Sequence, residues 1–212
     1  MTFHEPQPPM DGIVYVVDDD PGVRDGINDL LQSFQIRSEH FESCERFLEA
    51  WTDAYASCLL LDVQMPGVTG LELQEKLASR GARIPIIFMT AHGDVPMVRR
   101  VMKAGAVEFL TKPINVDDLI QAITSALAGD GARRQQAEAR LALKQRLDSL
   151  SPQQREVLRH VTDGLLNKQI ASEMNLSEIT VKQYRRNVME KMQAQSVADL
   201  AKMVAELSQG AD

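Results

Sequence analysis

Between Ile13 and Leu127 the chain alternates five times between a short apolar run and a stretch of helical periodicity, and this alternation limits the fold more than any other feature. The runs are IVYVV (13–17), IRSEHF (36–41), CLLL (58–61), IPIIFM (84–89) and VEFL (107–110). Short runs dense in β-branched and aromatic residues read as strands, and near-continuous apolar ones as strands covered on both faces. The intervening segments carry apolar residues on one helical stripe. Val23, Ile27, Leu30, Leu31 and Phe34 share a face, as do Val116, Leu119, Ile120, Ile123 and Leu127 behind a capping Asn115. Strand and helix in strict alternation predict an α/β domain over residues 11–128, a doubly wound five-stranded parallel sheet with helices on both faces.

In such a sheet the carboxyl ends of the strands lie on one rim, where sites collect. The first run ends in Asp18 and Asp19, the third in Asp62 and the fourth in Thr90, and the fifth is followed by Lys112 and Pro113. Adjacent carboxylates repel, so their density calls for a cation or a proton among them. Clustered carboxylates suit a hard divalent ion such as Mg²⁺, which neutralises phosphoryl oxygens. A carboxylate is also a nucleophile able to form an aspartyl-phosphate, and Asp62, alone at the end of the central strand, is placed for it. Thr90 and Lys112 would then bind the transferred oxygens. Asp20, next to Pro21, is expected to cap the first helix. His92 is expected in an exposed loop, with influence on hydrolysis or on a partner surface as the alternative.

Composition excludes several classes. Hydrophobic residues at 44% and charged residues at 25% are ordinary for a globular chain, and no apolar stretch approaches a membrane span. The N-terminal MTFHEPQPPMDG lacks the apolar core of a signal peptide, which points to the cytoplasm. Cys44 and Cys58 are too few for a disulfide framework, and the histidines at 4, 40, 92 and 160 have no metal-ligand spacing. Residues 1–128 hold 10 Lys and Arg against 19 Asp and Glu, whereas residues 149–212 hold 8 against 8. The shift suggests two modules with different partners.

The Gly-Asp-Gly at 129–131 is expected to break the last helix of the first module, with a linker helix over 129–149. Its Leu143, Leu147 and Leu150 stripe fits either a solvated spacer or a short interdomain or dimer coiled coil. A second, all-α module over 150–212 begins where Ser151, Pro152 and Gln154 form a capping box. Four helices are predicted, over 152–163, 167–174, 178–192 and 197–207. The second and third, joined by Asn-Leu-Ser, have the spacing of a helix-turn-helix. In the third, Val181, Tyr184, Val188 and Met192 face the core, so Lys182, Gln183 and Arg186 point outward to read bases. Lys168, Thr180, Arg185 and Lys191 are placed for phosphates.

Taken in order, VVDDD, LLLDVQMPGVTG, MTAHGD and FLTKP over 13–127 resemble the receiver domain of two-component response regulators. Residues 150–207, through the stretch LSPQQREVLRHVTDGLLNKQIASEMNLSEITVKQYRRNVMEKM, resemble the NarL/FixJ (LuxR-type) helix-turn-helix, with Gln169 and Tyr184 departing from its commonest form. The resemblance implies a CheY-like, flavodoxin-like receiver fold. It implies phosphorylation of Asp62 by a cognate histidine kinase, with Mg²⁺ on Asp19, Asp62 and the Gln64 backbone carbonyl, and Asp18 acting through water. A switch by Thr90 and Phe109 and a cis Lys112-Pro113 bond are implied as well. The partners it implies are double-stranded promoter DNA, RNA polymerase and a second copy of the chain on phosphorylation. The receivers would pair through residues 94–104 and 107–110, and helix 197–207 would pair the DNA-binding domains. Such a chain is not an enzyme beyond its own Mg²⁺-dependent phosphoryl transfer and autodephosphorylation. One rival, an aspartyl-phosphate phosphatase, needs a second Asp where Gln64 stands. The other is a phosphate-independent DNA-binding protein whose receiver only dimerises.

Overall fold

Parallel strands need a crossover between them, and the alternation read above supplies one each time. The structure is a computed structural model describing residues 12–91 and 95–208. His92 and the N-terminal stretch fall outside the described residues. The first unit, which ends at Arg134, contains β1 (Ile13–Val17), α1 (Pro21–Ser33), β2 (Ser38–Phe41), α2 (Cys44–Ala50) and β3 (Ser57–Asp62). It continues through α3 (Gly70–Ser79), β4 (Ile86–Thr90), α4 (Val95–Lys103), β5 (Glu108–Thr111) and into α5 (Val116–Asp148). The strands form one parallel sheet in the order β2-β1-β3-β4-β5.

The central runs split by parity, as a strand's alternating side chains require. Tyr15, Val17, Leu59, Leu61 and Phe88 pack on one face with Phe47, Leu73, Leu77 and Val101. Val14, Val16, Leu60, Ile87 and Met89 pack on the other with Ile27, Leu31, Leu119 and Ile123. Every residue of β1, β3 and β4 is therefore buried. The register aligns the strand ends: Val17 stands opposite Leu61, Asp62 opposite Met89 and Thr90 opposite Thr111.

One expectation fails at 129–131, where α5 continues unbroken from Val116 to Asp148. Each glycine in a helix interior costs about 1 kcal/mol. Asp130 between them offsets that cost. Its fully buried carboxylate accepts from the Ser57 backbone N–H at 3.1 Å, from Arg133 Nε at 3.1 Å and from Arg134 Nε at 2.7 Å. Arg134 also reaches the Asp53 carbonyl at 3.0 Å and the Asp53 carboxylate. A tertiary anchor overrides the local propensity.

The second unit, from Gln135 on, holds the remainder of α5 with α6 (Pro152–Thr162), α7 (Asn167–Glu173), α8 (Glu178–Met192) and α9 (Val197–Ser208). Ser151 and Gln154 form the expected capping box. Asn175 takes the left-handed turn between α7 and α8 at φ 58°, a conformation that Asn tolerates. The Leu143, Leu147 and Leu150 stripe is neither a solvated spacer nor a coiled-coil seam. Leu143 and Leu150 are buried in this unit's core with Val157, Ile170, Val181, Val188 and Leu200, and Leu147 packs against it.

Candidate functional site

Because β1 and β3 are neighbours in register, the residues that follow their last paired positions meet at the rim. Asp18, Asp19 and Asp62 each offer an oxygen within 4.8 Å of the others. Asp18 is fully buried, Asp62 is 8% exposed, and Asp19 faces solvent. Lys112, 94 positions from Asp18, joins them by way of β5. Its Nζ donates to Asp18 Oδ2 at 2.6 Å and to Asp62 Oδ2 at 2.9 Å. The peptide between Lys112 and Pro113 is cis, as the resemblance implied. The Lys112 backbone N–H donates to the Thr90 carbonyl at 2.7 Å, tying the ends of β4 and β5 together. Thr90 is 1% exposed at the end of β4.

One ammonium faces three carboxylates, so the cluster is anionic. Burial raises the Asp18 pKa, and the nearby Asp62 charge adds to it, against the hydrogen bonds from Lys112 and the Asp20 N–H. For Lys112 burial acts downward, but its bonds to Asp18 and Asp62 outweigh it and the net shift is upward. Asp18 shifts chiefly because it is buried, and Lys112 because two carboxylates hold it, which describes a confined, carboxylate-rich site. This fits a hard, oxygen-seeking divalent cation such as Mg²⁺, with Asp19 exposed on the solvent side.

The surroundings hold these groups in place. Asp20 caps α1 as expected, accepting from the Gly22 N–H at 2.8 Å and the Val23 N–H at 3.4 Å. The Gln64 N–H donates to Asp62 Oδ1 at 3.2 Å, and the Gln64 side chain is exposed. Phe109 is half-buried against the core face that holds Phe88. Two contributors escaped the sequence reading. Arg24 donates to the Asp18 carbonyl at 2.7 Å, and a Cβ on Gly70 would lie 2.4 Å from the Asp62 carbonyl oxygen. Only glycine lets the start of α3 approach the end of β3 so closely. The conspicuous Gly70 in the quoted motif was the available signal; Arg24 had none.

In the second unit Val181, Val188 and Met192 are buried and Tyr184 packs beside them, which leaves Lys182, Gln183 and Arg186 exposed along α8. Gln183 Nε2 donates to Asn187 Oδ1 at 3.0 Å, and Arg186 Nε pairs with Glu190 at 2.8 Å. Thr180 Oγ1 lies 2.9 Å from the capping Ser177 hydroxyl. Arg185 donates to Asn167 Oδ1 at 3.0 Å, joining α8 to the start of α7, where Lys168 is exposed. Lys191 donates to the Ser149 carbonyl at 2.8 Å and to Gln154 Oε1 at 3.0 Å. The sequence reading passed over Ile179, which is 81% exposed on the same face of α8.

Comparison with known proteins agrees with both halves. Residues 14–124 match the response regulator receiver domain, and residues 148–204 match the bacterial regulatory proteins of the luxR family. Nodulation protein W of Bradyrhizobium diazoefficiens is 44% identical over 191 residues, 90% of this chain and 84% of that protein. Response regulator protein TmoT of Ectopseudomonas mendocina is 42% identical over 197 residues, 93% of this chain and 90% of that one. Among solved structures, response regulator StyR superposes with a TM-score of 0.87 at 44% identity, over 92% of this chain and 99% of its own. Among the described residues no helix is long and apolar enough to cross a membrane.

Proposed function

The chain belongs to the response regulators that join a receiver to a luxR-family DNA-binding domain, and we propose that Asp62 is its phosphoacceptor. The receiver implies a histidine kinase as partner, and the luxR-type domain implies DNA. An Asp62 carboxylate oxygen attacks the phosphorus of the kinase's phosphohistidine; the O–P bond forms as the P–N bond breaks, and the imidazole leaves. Asp19, Asp62 and the Gln64 backbone carbonyl, with Asp18 acting through water, would hold Mg²⁺, which would supply charge neutralisation to the transferred oxygens. Lys112, already on Asp62 Oδ2, binds one of those oxygens, and the Thr90 hydroxyl another. Hydrolysis of the acyl phosphate at the same site resets the protein. Thr90 and Phe109 form the switch that passes the change outward.

The phosphorylated state dimerises and increases binding to promoter DNA with paired half-sites, and in the cytoplasm the bound dimer acts on transcription through RNA polymerase. Lys182, Gln183 and Arg186 read base edges, with Lys168, Thr180 and Arg185 on phosphates. Lys191 joins them, because an ammonium has three donors and two are used within the domain. The division into a receiver over 11–128, a linker helix over 129–149 and a DNA-binding domain over 150–212 serves this reading.

The observation that carries the proposal is the convergence of three carboxylates and Lys112 on one rim. Its test is the intact mass after incubation with Mg²⁺ and a small acyl-phosphate donor. A gain of one phosphoryl group is expected, absent from Asp62→Asn and absent without Mg²⁺. No gain, under conditions where a control receiver reacts, would leave the receiver as a phosphate-independent dimerisation domain.

A further inference from the structure

The most exposed large apolar side chain among the described residues is Ile179, at 81%. It stands in the first turn of α8, two residues after the capping Ser177. A β-branched residue there gains nothing for the helix, since its χ1 freedom is reduced and it packs against no core. Helical geometry places it with care all the same. Val181, Val188 and Met192 define the buried stripe of α8, and Ile179 lies across the helix from it. Lys182, Gln183 and Arg186 follow Ile179 at i+3, i+4 and i+7, so the four side chains form one outward row.

An isolated apolar group in a row of cationic and amide side chains faces a polyanion that carries apolar points. Duplex DNA is such a surface. Its major groove presents one methyl group, on C5 of thymine, beside the donor and acceptor edges that Lys, Gln and Arg read. The N-terminal residues of a recognition helix are the ones that reach base edges. We infer that Ile179 is a specificity-determining residue that packs on a thymine C5-methyl group, so that each half-site carries a thymine read by shape and apolar contact. This rests on the proposal that α8 is the DNA-reading helix.

The test is a cycle between one methyl and one side chain. A duplex is first selected from random-sequence DNA with the full-length chain, and each thymine is then replaced in turn by 2′-deoxyuridine. That exchange removes the methyl and leaves the pairing edge intact. At one thymine per half-site the unsubstituted protein is expected to lose about three- to fivefold in affinity, the scale of one buried methyl-sized group. Ile179→Ala is expected to bind the thymine and deoxyuridine duplexes alike, whereas Ile179→Val, which retains the branched methyls, still discriminates. The exposed position makes both variants neutral for folding, which circular dichroism checks. Equal binding of all deoxyuridine duplexes by the unsubstituted protein overturns the inference, as does undiminished discrimination by Ile179→Ala. Failure to select any sequence overturns the assignment of α8 as a reader, and this inference with it.

Discussion

At the scale of single residues, the rim cluster is built against its own stability. Asp18 is buried beside Asp62, and among the described residues Lys112 is the cation paired with both carboxylates. Taking a carboxylate out of water costs more than one ion pair returns unless its charge is matched. Asp18→Asn removes a charge, keeps the shape and retains an oxygen for Lys112. In the presence of a chelator at neutral pH it is expected to raise the stability of the first unit by on the order of 1 kcal/mol, while shrinking the stabilisation that Mg²⁺ adds. Trp51, the only tryptophan in the chain, packs on Phe47 in that unit, so its fluorescence follows the unfolding. A fall in stability on substitution would mean that the ion pair outweighs the burial cost. The identities of Asp18, Asp19, Asp62, Thr90 and Lys112 were legible in the sequence because a parallel sheet sends every strand end to one rim. The contribution of Arg24 was not, because a bond to a backbone carbonyl leaves no period or spacing behind, whereas Gly70 stood in the quoted motif with its close backbone approach unread.

At the scale of elements, α5 shows where reading by propensity stops. Gly129 and Gly131 signal a break, and the signal is locally sound. The outcome is decided by Ser57, on a strand 73 positions away, whose N–H finds the Asp130 carboxylate. Burial pushes the Asp130 pKa up, but the bonds from Arg134, Arg133 and the Ser57 N–H outweigh it, and the net shift is downward. A carboxyl with a lowered folded pKa adds stability above its unfolded value and loses it as pH falls through the folded one. Asp130→Asn is therefore expected to cost the first unit about 1–3 kcal/mol at neutral pH. The deficit should begin to close as pH falls below the ordinary carboxylate value of about 4, and should be gone once pH has passed below the lowered folded value. Faster hydrogen exchange over residues 129–134 in the variant would place the loss in this stretch of helix; unchanged exchange with unchanged stability would show that the glycines are held without Asp130. The leucine stripe carries the same lesson. A heptad-like spacing shows that one face is covered, and Leu143 and Leu150 are covered by Val157 and its neighbours, a partner the period cannot name.

At the scale of the whole molecule, the proposed function requires an acyl phosphate on one unit to change DNA binding by the other. A ligand or modification shifts an equilibrium only by its differential free energy for the two states, and such couplings run to about 1–3 kcal/mol, or roughly 5- to 150-fold. If phosphorylation acts by dimerising the chain, the gain comes from avidity, with the second half-site bound at a high effective concentration. The gain then depends on the DNA as well as on the protein. On a duplex with two half-sites spaced one helical turn apart, phosphorylated protein is expected to bind at least about tenfold more tightly than unphosphorylated protein. On a duplex with one half-site the difference should vanish, and Asp62→Asn treated with the donor should show no gain on either. Titrations at one fixed salt concentration decide it, since phosphate contacts make affinity steeply salt-dependent. An equal gain on the single half-site would locate the effect inside one chain, as release of α8 for binding, and would remove dimerisation from the mechanism. The two outcomes demand different things of the sequence. Avidity needs only a self-complementary surface on the phosphorylated receiver, whereas release needs a contact that hides Lys182, Gln183 and Arg186 until Asp62 carries its phosphoryl group.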